Sequence, residues 1–365
     1  MSRAAGGMTL PIDFPQVPPP LPVAATRSRR RRRPGTITPG MRIGAWRVER
    51  ELGRGGMATV YAVVHTRFGK RAALKLAHRA ILGPRFTPET FLREARTANL
   101  IDHVGIAEVF ATGTYDGRPY LAMERLTGRS LGARLDDGPL GRDEALALLI
   151  ELCDVLAAAH AAGVTHRDLK LDNVFVLDGP GTEVRRTKLL DWGMARIAGE
   201  DDPLRGLIAG TLTYVAPEQV RGDDMTPAAD VYALAVLAYQ LVLGEPPFTS
   251  SNDLDLVHKH LRDQPPRPGA LWPAIPPELE ATLVAMLAKQ PEYRPAVLEV
   301  ARVLRTARRG LRPSKLHRRD LPATPPLDVL GRPAIAVRST RPRQLAGAAL
   351  GLALAVASVL QLLSA

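Results

Sequence analysis

Three polar side chains stand close together in the run His166-Arg167-Asp168-Leu169-Lys170-Leu171-Asp172-Asn173. Asp168 is an acceptor-only carboxylate that can take a hydroxyl proton and orient the oxygen as a nucleophile. Lys170 can neutralise charge on a phosphoryl group in flight. Asn173 offers a hard carbonyl oxygen to a cation such as Mg²⁺. The set suits phosphoryl transfer, where positioning and charge neutralisation carry most of the catalysis. Alone, the run is equally compatible with a polar loop, so its partners elsewhere in the chain decide its reading.

Those partners occur in order. Leu52-Gly53-Arg54-Gly55-Gly56-Met57-Ala58-Thr59-Val60 is a glycine-rich stretch whose backbone N–H groups can approach phosphates, with Leu52 and Val60 able to cover a base. Lys75 lies in the strand-like run Ala72–Leu76, and Glu94 lies in Phe91-Leu92-Arg93-Glu94-Ala95. Asp191-Trp192-Gly193 and Ala216-Pro217-Glu218 follow the central run.

Together these motifs resemble those of the bacterial Hanks-type (eukaryotic-like) Ser/Thr protein kinases, over roughly residues 41–306. The resemblance implies ATP and Mg²⁺ as cofactors and protein Ser/Thr hydroxyls as acceptors. It implies that Asp168 positions the hydroxyl, with Lys170 beside it, and that Lys75 contacts the nucleotide phosphates and pairs with Glu94. Asn173 and Asp191 would hold the metal. Ala73 and the stretch from Met123 and Glu124 to Leu126 would face the adenine, along with the residues from Leu52 to Val60. Arg167, Thr211, Glu218, Asp230 and Arg294 would shape the catalytic loop and the substrate groove, Glu218 by pairing with Arg294. Lys170 points to Ser/Thr acceptors over Tyr. The alternative, a non-catalytic pseudokinase scaffold, calls for a lost Lys75, Asp168 or Asp191, and all three are present.

Three positions depart from the family pattern. Ala58 stands where a third glycine is frequent, Trp192 where Phe is usual, and Leu171 where Pro is usual. Between Gly193 and Gly210 there is no Ser, Thr or Tyr, so no phosphate can be attached there. The same stretch carries Glu200-Asp201-Asp202, whose carboxylates can stand in for a phosphate by pairing with Arg167 or Arg196.

The elements needed to position these residues are legible as patterns. Trp46–Val48, Thr59–Val64 and Ala72–Leu76 read as strands, Glu89–Leu100 as a helix, then Ile106–Ala111 and Tyr120–Met123 as strands. After Leu126 the pattern is mainly helical, with a helix opening near Gly141 and closing at Gly163. Mostly strands followed by mostly helices indicates an α+β fold, here a two-lobe kinase-like fold: a small lobe over 41–125 and a large one over 126–306. Leu146, Leu149, Ile150, Cys153, Ala157 and His160 share one helical stripe, so Cys153 and His160 read as core packing. A single cysteine excludes an intrachain disulfide.

The net charge of +12 is confined to the flanks: residues 1–40 carry +6 and residues 302–343 carry +10, leaving the centre at −4. That distribution argues against a specific nucleic-acid partner. The Pro/Arg-rich segment 1–40 reads as disordered, and 307–343 as a basic juxtamembrane linker. Leu345–Leu363 has no charged residue and its nine Leu and Val favour insertion by about −3 to −5 kcal/mol, which reads as a transmembrane helix. Arg338, Arg341 and Arg343 just before it imply a single-pass tail anchor in the cytoplasmic membrane, with the kinase domain in the cytoplasm. Gly347, Gly351 and Ala355 offer a small-residue face for a homodimer.

Overall fold

The computed structural model describes residues 37–83, 86–179, 187–202 and 211–311. The segment 1–36, most of the linker and the expected span 345–363 lie outside the described residues, as does Gly210. Among the described residues no helix is long and apolar enough to cross a membrane.

Six strands come first: β1 (Arg42–Ile43), β2 (Trp46–Arg54), β3 (Ala58–His65), β4 (Arg71–Ala77), and, beyond one helix, β5 (Val109–Tyr115) and β6 (Arg118–Met123). They form one antiparallel sheet in the order β1-β2-β3-β4-β6-β5. β4 is central and buried along nearly its whole length, as a strand paired on both edges must be. Lys75 sits in the middle of it, in register with Val60 on one side and Leu121 on the other. The expected strand from Ile106 begins instead at Val109. Ile106 makes only an isolated parallel bridge to Leu189, which stitches the two lobes.

Helix α1 (Pro88–Leu100) packs on this sheet. Its start combines Thr87, whose side chain accepts the Thr90 N–H at 3.2 Å, with Pro88 in the first turn, where a missing N–H costs nothing. Phe91, Glu94, Ala95 and Ala98 recur at helical spacing on its buried face. A carboxylate on an apolar stripe is costly unless paired, so Glu94 announces a partner.

The large lobe holds β7 (Gly128–Ser130), α2 (Leu131–Leu135), α3 (Arg142–Ala161), β8 (Val164–Thr165), β9 (Val174–Leu177), β10 (Thr187–Leu189), β11 (Arg196–Ile197) and α4 (Pro217–Arg221). It continues with α5 (Ala228–Ala238), α6 (Asp253–Arg262), α7 (Pro268–Leu271), α8 (Pro277–Met286) and α9 (Val297–Gly310). α3 ends where Gly163 takes φ of 73°. α5 is buried on almost every side and forms the axis of the core. The last helix runs past residue 306 to Gly310. Its Val300, Ala301, Val303, Leu304 and Ala307 are buried in the main core. Arg302, Arg305 and Arg308 reach Glu278, Asp154 and Asp143 at 2.8, 2.5 and 2.9 Å.

Apolar burial and not these exposed ion pairs holds α9 in place. Leu304→Ala is expected to lower the unfolding free energy of the full chain by about 2–5 kcal/mol. Arg302→Ala, which removes a pair more than half exposed on both sides, costs under about 1 kcal/mol. Urea denaturation of the two variants checks the ranking.

Candidate active site

The cavity between the lobes encloses about 210 Å³ and is lined by Val60, Lys75, Glu94, Met123, Asn173 and Asp191, with Trp192 behind them. Six elements or turns from along the chain therefore meet at one place. Leu52 to Thr59, Ala73, Glu124, Leu126, Asp168 and Lys170 are not among its lining residues. Ala73 pairs with Met123 in the sheet, and Leu52 stands 39% exposed on β2.

Lys75 is the electrostatic centre. Its Nζ donates to Glu94 Oε2 and to Asp191 Oδ1, each at 2.7 Å. Burial alone pulls the lysine pKa down, but the two carboxylates outweigh it and hold the ammonium above its ordinary value. Burial pushes the Glu94 carboxyl up to about 7, against the pull of Lys75, and Asp191 adds to the rise. For Asp191 burial also raises the pKa, yet Lys75 prevails and the carboxyl stays below its usual value. One cation thus serves a buried carboxylate, Glu94, and a partly buried one, Asp191.

The catalytic run forms a second cluster. Lys170 Nζ donates to Asp168 Oδ2 at 2.6 Å. The Asn173 amide donates to the Asp168 carbonyl at 2.7 Å and to its Oδ2 at 3.1 Å. These bonds use the amide nitrogen of Asn173 and leave its carbonyl oxygen for another partner. Lys75 engages one oxygen of Asp191 and leaves the other. Both remaining oxygens belong to residues that line the cavity. Two hard oxygen donors of this kind fit Mg²⁺, which is commonly held by one or two protein groups plus phosphates and water. Among the described residues no group of three His, Cys, Asp or Glu is arranged to hold a metal by itself.

Asp230 fixes the loop from below. Its fully buried carboxylate accepts the backbone N–H of His166 at 2.8 Å and of Arg167 at 2.9 Å, and faces His160 Nε2 at 2.9 Å. Burial raises its pKa, but the hydrogen bond from His160 and the neighbouring positive groups turn the balance, and the carboxyl is held low. His160 is therefore more than the core packing its helical stripe suggests: it is a partner of the loop-holding aspartate. Arg167 and Asp191 both take left-handed backbone angles, φ of 70° and 64°, which side-chain-bearing residues adopt only when held there.

Arg294 and Glu218 form a fully buried two-bond pair at 2.6 and 2.8 Å, as the resemblance implies. Thr211 does not join the site: it is exposed, and among the described residues no hydrogen bond links it to Asp168 or Lys170. Two site-bracing residues were missed at the level of sequence. Lys188 Nζ donates to Ile106 O at 3.0 Å and to Glu124 Oε2 at 2.5 Å, tying the strand before Asp191 to the segment between the lobes. Nothing in the run Arg185-Arg186-Thr187-Lys188-Leu189-Leu190 singled it out. Gln219 Nε2 donates to the Arg167 carbonyl at 3.0 Å, and nothing in its spacing pointed there.

The protein kinase domain model matches residues 46–303, well over half of the chain. The chain belongs to the protein kinase family. It is 40% identical to the serine/threonine-protein kinase Pkn1 of Myxococcus xanthus, over 72% of this chain and 38% of that protein. It is 36% identical to the serine/threonine-protein kinase PknA of Mycobacterium tuberculosis, over 74% of this chain and 64% of that one. The chain thus spans less than two thirds of the length of these curated relatives. Among solved structures it resembles the Mycobacterium tuberculosis PknI kinase domain, at 29% identity and a TM-score of 0.58, covering 74% of this chain and all of that one (100%).

The kinase departures are absorbed by packing. Ala58 is buried beside Ala77, Phe91, Ala95 and Leu121, so its methyl group joins the small-lobe core under the glycine-rich loop. Gly53 and Gly56 have open space where a Cβ would be, and neither has a positive φ. Trp192 is buried, donates its indole N–H to Leu189 O at 3.2 Å, and meets the His166 ring edge-on at 4.6 Å.

Removing one partner of the Arg294–Glu218 pair leaves a buried guanidinium uncompensated. Glu218→Ala is expected to destabilise the kinase domain by about 3–5 kcal/mol, read as a fall in the urea midpoint of the full chain. A loss under about 1 kcal/mol would show that the pair does not brace the large lobe.

Proposed function

We propose that this chain is a Ser/Thr protein kinase that transfers the γ-phosphate of ATP to protein hydroxyls. The observation that carries the reading is that Lys75, Glu94, Asp191 and Asn173 line one interlobe cavity, with Asn173 hydrogen-bonded to Asp168 and Asp168 to Lys170. Lys75 is oriented by Glu94 to meet phosphate oxygens. Asp168 presents a carboxylate for the hydroxyl proton, and Lys170 beside it offsets negative charge. Asn173 and Asp191 would hold Mg²⁺, which when bound neutralises charge on the phosphates. The names of the relatives support Ser/Thr specificity, since both Pkn1 and PknA are described as serine/threonine-protein kinases.

Incubation of the purified full chain with Mg²⁺ and γ-labelled ATP is expected to place label on Ser and Thr of itself or of a generic protein substrate. Asp168→Asn and Lys75→Met should each lower transfer by at least ~100-fold, because each removes a positioned charge. Folded variants that transfer label at the wild-type rate would overturn the assignment.

We also propose that Leu345–Leu363 anchors the kinase at the cytoplasmic membrane. Its support is the uncharged length and the arginines that precede it. The full chain should stay with membranes after alkaline carbonate extraction. A variant with Leu352→Arg and Leu354→Arg should be released, and its equal retention would remove the anchor.

A further inference from the structure

Arg167 is held through its backbone N–H, its carbonyl and both terminal nitrogens of its guanidinium. Its backbone N–H goes to Asp230 and its carbonyl accepts from Gln219. Its guanidinium donates two parallel bonds to Asp202, Nη1 to Oδ1 at 2.9 Å and Nη2 to Oδ2 at 2.5 Å. Both side chains are largely buried, at 9% and 13% exposure, so the pair is poorly screened by solvent. Of the two arginines that the acidic run can meet, only Arg167 is engaged in this way. Arg196 instead donates to the Met225 carbonyl at 2.7 Å.

The same turn grips the small lobe. Glu200 pairs with Arg96 and lies 3.5 Å from Arg93 Nη2, while Arg93 Nη1 donates to the Asp201 carbonyl at 3.2 Å. Arg93 and Arg96 are on α1, and Arg93 directly precedes Glu94. Residues 200–202 therefore connect the helix that carries Glu94 to the loop that carries Asp168. Covalently built carboxylates fill both positions, in a stretch without a hydroxyl side chain from Gly193 to Gly210. A carboxylate matches the guanidinium fork as a phosphate does, with less charge.

We propose that Asp202 and Glu200 are positioning residues: a permanent carboxylate brace that holds α1 and the catalytic loop in one arrangement without modification of this segment. The structural part stands on the distances alone. Its catalytic consequence rests on the kinase reading. Asp202 anchors the loop through Arg167, and Glu200 with the Asp201 carbonyl anchors α1 through Arg93 and Arg96. Asp202 is the stronger member, since its partner is buried whereas Arg96 is 60% exposed.

Two readouts on the full chain test this, using Asp202→Asn, Asp202→Glu and Glu200→Gln. The first is hydrogen–deuterium exchange without nucleotide. In Asp202→Asn, peptides covering 166–173 should exchange about tenfold faster, and in Glu200→Gln those covering 88–100 should do so, with α5 unchanged in both. The second is steady-state kinetics after phosphatase treatment. The wild type should keep its activity, and Asp202→Asn should lose about 10–100-fold in kcat with little change in KM for ATP. Asp202→Glu should restore most of kcat, which a merely destabilised fold would not do. Wild-type exchange in both neutralised variants, or collapse of wild-type activity on dephosphorylation, overturns the brace. If the wild type transfers no phosphate at all, the kinase reading falls, and the exchange measurement still decides the brace by itself.

Discussion

A single buried carboxylate, that of Asp230, sets the geometry on which the site depends. It is fully excluded from solvent and accepts two consecutive backbone N–H groups, from His166 and Arg167. Hydrogen bonds to a charged group contribute about 1.5–3 kcal/mol each, while burial of the charge costs several kcal/mol. The two nearly cancel, so the net result is geometry more than stability. What is gained is a left-handed Arg167, φ of 70°, directly before Asp168. Because Asp230 sits on α5, the axis of the large-lobe core, the catalytic loop inherits the rigidity of that helix.

Lys75 plays the matching part between the lobes. It reaches from the central strand to a helix on one side and to a left-handed turn on the other. Sharing one ammonium between Glu94 and Asp191 makes three elements interdependent, since loss of any member leaves a buried charge without its counterpart. The acidic turn at 200–202 ties the same helix to the catalytic loop by a separate route. Two independent ties on the same helix restrict its motion more than either does alone.

The departures from the kinase pattern show how local substitutions are accommodated. A methyl at Ala58 is accommodated in the small-lobe core, while Gly53 and Gly56 face open space. The indole of Trp192 has a polar atom that Phe lacks, and it finds the Leu189 carbonyl. Leu171 begins a short 3₁₀ turn ending at Asn173, where a side chain without the proline ring is accepted.

Much of this protein was legible in its residues. The residue pattern placed α1 within one residue of its start, and alternation located β3 and β4, because these signals arise from local backbone and side-chain physics. The roles expected of Lys75, Glu94, Asp168, Asn173 and Asp191 rested on the order of their motifs and on the resemblance to protein kinases. The position of β5 was misjudged, since a short apolar run does not reveal where its pairing begins. Residue order likewise could not show that His160 faces Asp230, that Lys188 reaches Glu124, or that Arg167 and not Arg196 takes Asp202. Each of those contacts joins residues 35 or more positions apart. A single side chain has several acceptable partners by charge alone, and only the packed core decides which one lies within 3 Å.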